Sequence, residues 1–93
     1  MAVLDVAQIE VEETALIVVF VPPETTFFHD RQRIKLRELL INALVSSGLT
    51  GELLAAWEFD GHLHFMGNPR WSEYLENTNF TELYARKTRQ ITC

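Results

Sequence analysis

His62-Leu63-His64 is the stretch of this chain that comes nearest to a metal site, because residues two apart on a strand share one face and imidazole is the commonest protein metal ligand. Zinc needs three or four ligands, and neither a cysteine nor a third histidine lies near in sequence; His29-Asp30 would contribute only if the fold brought that loop close. The two histidines are therefore expected to be ordinary surface or half-buried side chains that could respond to pH beside the ring of Trp57, and no metal or cofactor is expected. Nucleophilic chemistry has less support. Ser46, Ser47 and Ser72 lie in no strained elbow motif, and Cys93, the last residue, has no activating neighbour in sequence. Glu10 and Glu12 share a strand face, but an alternating acidic strand is usually a wet surface. The glycines at 48, 51, 61 and 67 punctuate elements and build no phosphate cradle. The balance is against an enzyme.

Two groups of residues remain that point to binding. Arg33 and Arg37 fall on the apolar side of a helix close to its start, where the macrodipole disfavours cations, so something must compensate them. Pairing with Glu10 or Glu12, in this protomer or a neighbour, is the plain answer; an anion or acidic partner docking at the helix start is the sharper one. Trp57, Phe59, His62, His64 and Met66 are the interface candidates, since interfaces enrich aromatic residues and methionine, although aromatics in a small chain more often fill the core.

The element that positions these residues is a hairpin. Asp60-Gly61 joins two apolar runs between Glu52 and Met66, and a two-residue turn there places Phe59 opposite His62, Trp57 opposite His64 and Ala55 opposite Met66. On the other side Glu58 meets Leu63 and Ala56 meets Phe65. Both sides are largely apolar, so one face is expected to bury in the core and the other to meet a partner.

Upstream, Ile9 to Glu12 alternates at period two and Ala15 to Val21 is an unbroken, β-branched run, which predicts two strands joined by a turn at Glu12-Glu13-Thr14, the alternative being a bulge there in one long strand. Pro22-Pro23 ends the second strand. Asp30 is the expected N-cap of a helix running to about Ser47, with Gly48 closing it in the left-handed conformation. Its apolar residues spread well beyond the ~100° stripe of an ordinary surface helix, so burial on more than one side is expected. Downstream, Asn68-Pro69 predicts a short helix to about Glu76, and Asn79 with Glu82 predicts another from Phe80 to about Gln90, which makes a C-terminal helix broken near Asn77-Asn79. The expected fold class is α+β: a mostly antiparallel four-stranded sheet in ββαββα order, with helices on one face.

A chain of 93 residues supports one core, so a single domain over residues 1–93 is expected. Net charge is −5, and residues 1–24 contain five acidic residues and no lysine or arginine, which makes nucleic acid a poor partner. The longest apolar run falls far short of the ~20 residues a membrane helix takes, no secretory signal is visible at the amino terminus, and cysteine occurs once. A cytoplasmic protein is the expectation.

Together these features predict a small non-enzymatic interaction module, regulatory or assembling, that works as a homodimer and engages another protein. The helix-strand-strand-helix order with Tyr74-Leu75-Glu76-Asn77-Thr78-Asn79-Phe80 resembles the second half of dimeric α+β-barrel monooxygenases over about a quarter of the chain, and it departs from them in that no strand is expected after the last helix. The resemblance implies, as the alternative, a small dimeric enzyme or ligand-binding protein with a pocket near Trp57, His62 and His64. An RNA-binding sheet using Trp57 and Phe59 for base stacking is the third reading.

Overall fold

The computed structural model describes residues 3–92; Cys93 lies outside the described residues. The alternating and apolar runs of the amino-terminal third form β1 (Val3–Val11) and β2 (Thr14–Phe20), paired antiparallel with Val11 opposite Thr14. Glu12 and Glu13 make the turn with φ of 51° and 65°, a left-handed pair that glycine or asparagine would adopt more readily.

After a 3-10 turn at Pro23–Phe27 comes α1 (Asp30–Ser46). Its N-cap is His29 rather than Asp30: the Nδ1 atom accepts from the Gln32 amide at 3.3 Å, and the Gln32 side chain accepts from the His29 amide at 3.0 Å. An imidazole nitrogen thus takes the place of the usual carboxylate or hydroxyl oxygen, and Asp30 becomes the first helical residue. Gly48, with φ of 72°, ends the helix as expected: the Leu49 amide donates to Leu44 O and the Gly48 amide to Val45 O, while Leu49 and Leu44 are both buried.

The Asp60-Gly61 hairpin forms as the sequence predicts. β3 (Glu52–Phe59) and β4 (His62–Met66) pair antiparallel in the anticipated register across a turn with φ of 54° and 76°. Gly51, which leads into β3, has φ of 148°, and a Cβ there would lie 2.9 Å from Ala15 O, so only glycine fits. A 3-10 turn at Pro69–Trp71 leads into α2 (Ser72–Glu76), followed by α3 (Phe80–Tyr84).

The carboxy-terminal segment departs from expectation. α3 stops at Tyr84, and Lys87–Thr92 is a fifth strand, β5, paired antiparallel with β1. The cations Lys87 and Arg89 suited a helix end, but Thr88, Ile91 and Thr92 are β-branched, and pairing with the otherwise open edge of β1 decides the conformation. The sheet is consequently five-stranded and mixed, in the order β4-β3-β2-β1-β5, with β2 and β3 parallel. Its two faces are both covered. α1 packs Leu40, Ala43 and Leu44 with Val6, Ile17, Val19, Ala55 and Trp57 on one. Trp71, Leu75 and Leu83, from the short helical segments, pack with Leu16, Val18, Phe20 and Leu54 on the other. Helices on a single face would have left Leu16, Val18, Phe20 and Leu54 in water, at roughly 1.5–3 kcal/mol for each large side chain.

Candidate functional site

The α1 side of the β3–β4 hairpin gathers most of the residues singled out from the sequence. Trp57 is 2% exposed, lies beneath the start of α1, and donates from Nε1 to Thr26 Oγ1 at 2.7 Å. His64, its cross-strand partner, stacks on it with ring centroids 5.9 Å apart and planes inclined by 13°. Phe59 meets His64 edge-on, and Phe27 meets Phe59 edge-on at 5.3 Å. Phe27 itself is 73% exposed, so this aromatic train runs from the core to the surface. Met66, opposite Ala55, is half-buried against the same core, and His62 is exposed at the turn.

Arg33 joins this group. Its guanidinium carbon sits 5.8 Å from the centre of the Trp57 ring, Nε donates to Phe28 O at 3.2 Å, and an Nη donates to Thr26 O at 3.4 Å. Backbone carbonyls and an aromatic face therefore compensate the cation near the helix start. Glu10 and Glu12 are not placed to do so: Glu10 pairs with Ala15 at the beginning of β2, whereas Arg33 lies over Trp57, beyond the end of β2. Arg37, one turn on, is exposed and borders a cleft of about 440 Å3 with Ile41, Leu44, Val45, Leu49 and Leu53. Arg33 and Arg37 thus lie on the same flank of α1 without converging on one point.

Leu63 and Phe65, on the opposite side of β4, are half-buried against Trp71, Leu75 and their neighbours. Neither face of the hairpin is left bare, and Trp57 is closed off from stacking with a base. Among the described residues no group of three or more His, Cys, Asp or Glu side chains is arranged to hold a metal ion. His29 is taken up in capping α1. Nor is any helix among the described residues long and apolar enough to cross a membrane.

A polar cluster that sequence reasoning did not single out ties the ends of the fold together. Asp5 on β1 accepts from the Tyr84 hydroxyl at 2.5 Å and from Gln90 Nε2 at 3.0 Å. Those two bonds, Tyr84 first, hold the Asp5 carboxyl below the usual aspartate range, with the Lys87 charge adding to them and partial burial opposing. Lys87 Nζ in turn lies 3.8 Å above the Tyr84 ring. Nothing local marks Asp5 in the sequence, because its partners lie 79 and 85 residues away. The Trp71 indole likewise donates to the Glu52 carboxylate and anchors the turn before α2.

Comparison with protein-family models, curated proteins and solved structures finds no match for the chain.

Proposed function

We propose that this chain is a non-enzymatic protein–protein interaction module, regulatory or assembling in role, that acts as a homodimer. The observation that carries the reading is the apolar surface of α1 beyond the part the sheet covers. Ile34 and Val45 are 60% and 72% exposed, and with Ile41 they fall within about 40° of one another at 100° per residue. This strip borders the cleft lined by Leu44, Leu49 and Leu53, which makes one apolar flank rather than scattered side chains.

The aromatic train from Trp57 through His64 and Phe59 to Phe27 contributes contact area at the surface. A second copy of the chain and another protein are the partners in this reading, with cytoplasmic action included. Sedimentation equilibrium over a wide concentration range tests it: a dimer mass that falls on dilution is the expected result, and a strict monomer at high concentration would overturn the homodimer.

A further inference from the structure

The two edges of the sheet differ in chemistry. β5 carries Lys87 and Arg89, and the β1–β5 register shifts between Val6 and Ala7; edge cations and a bulge are the devices by which proteins block strand addition. β4, at the other edge, reads His-Leu-His-Phe-Met and contains no Lys, Arg, Asp, Glu or Pro. Two β4 edges brought together by a two-fold oppose no like-charged Lys, Arg, Asp or Glu side chains, whereas two β5 edges would bring Lys87 and Arg89 of both copies together.

The register says which backbone groups that edge offers. Phe59 and His62 close a two-residue turn in which both central residues have positive φ, so they form a hydrogen-bonded pair, as do Trp57 with His64 and Ala55 with Met66. The intervening residues of β3 point their groups the other way, and Ala56 O accepts from the amide of Val21, just past the end of β2, at 2.9 Å. By the same alternation the N–H and C=O groups of Leu63 and Phe65 face outward from β4.

We infer that two copies of this chain join through β4, antiparallel about a two-fold axis at His64, into one continuous sheet. The proposal rests on the homodimer reading above and puts the junction at the sheet edge, which leaves the α1 flank to the other protein partner of that reading. A two-fold at His64 sets Leu63 opposite Phe65 of the other copy and His62 opposite Met66, so every outward backbone group of β4 finds a partner. Leu63 meets Phe65 on the face that carries α2 and α3, which continues the existing apolar layer across the junction. The ends are complementary in charge: the turn with Asp60 comes alongside the segment of the other copy that leads to exposed Arg70. The axis also places the two His64 side chains directly across from each other at a non-hydrogen-bonded position, where side chains approach most closely.

That last feature supplies the test. His64→Asp and His64→Lys each put like charges on the axis, while a mixture of the two puts opposite charges there. Each variant alone should sediment as a folded monomer, with circular dichroism matching the wild type, and an equimolar mixture should recover the dimer. A wild-type protein that is monomeric throughout would overturn both the homodimer reading and this interface. A wild-type dimer that survives in both variants would overturn the interface alone, and so would folded variant monomers that fail to associate when mixed. Should a His64 variant not fold, Leu63→Lys and Phe65→Glu serve instead: either one alone sets a charge against an apolar side chain at both ends of the proposed junction and should disfavour the dimer, whereas their mixture sets the introduced lysine opposite the introduced glutamate at one end and Leu63 opposite Phe65 at the other and should recover it.

Discussion

At the scale of single residues, Trp57 shows how a side chain that looks like a binding surface becomes structural. Its ring is closed in by α1 and stacked by His64, and its one polar atom is satisfied by Thr26. Trp57→Phe should cost about 1–2 kcal/mol through the lost hydrogen bond, and Trp57→Ala about 3–5 kcal/mol through the cavity, both measured by urea denaturation. Asp5 behaves differently because it is held ionised. Its carboxyl titrates below the unfolded value of about 3.9, so its contribution is complete above that pH and disappears as pH falls through the lower folded value. Asp5→Asn should therefore destabilise the protein at neutral pH, by on the order of 1 kcal/mol for a largely wet cluster, and the difference from wild type should shrink in the acid range. Denaturation midpoints of both proteins from pH 7 to pH 3 would show it. Neither role was visible in sequence. Trp57 and Thr26 are 31 residues apart and Asp5 and Tyr84 are 79 apart, and local patterning carries no information about such pairs.

At the scale of elements, the legible parts were those with strong local chemistry. Asp60-Gly61 specified a turn and, through it, the register of β3 and β4; Gly48 specified the end of α1; and Asn68 and Asn79 cap the segments they precede, accepting from the Arg70 and Glu82 amides. What was missed depended on pairing. Residues 87–92 carry cations that suit a helix end, and only the presence of β1 alongside turns them into a strand. The β1–β2 turn is the opposite case, an element that forms against its local preference. Replacing Glu12-Glu13 by Asn-Gly should stabilise the protein by about 1 kcal/mol, read as a higher urea midpoint with unchanged slope, since both positions have positive φ.

At the scale of the whole molecule, the second covering layer is what reshapes the functional argument. A sheet with helices on one face would offer its other face to a partner, whereas here Trp71, Leu75 and Leu83 occupy that face and α1 the first. Among the described residues, what stays open is the flank of α1, the exposed end of the aromatic train at Phe27, and the edges of the sheet. Of the two edges, β5 is defended by charge and a register shift and β4 is not.

Hydrogen exchange at β4 tests this account most directly. The amides of His62, His64 and Met66 bond to β3 within one chain, so they should be protected at any concentration. The amides of Leu63 and Phe65 face outward and should be protected only where two copies pair, losing that protection on dilution. Rapid exchange at Leu63 and Phe65 under conditions where the protein sediments as a dimer would contradict the β4 junction.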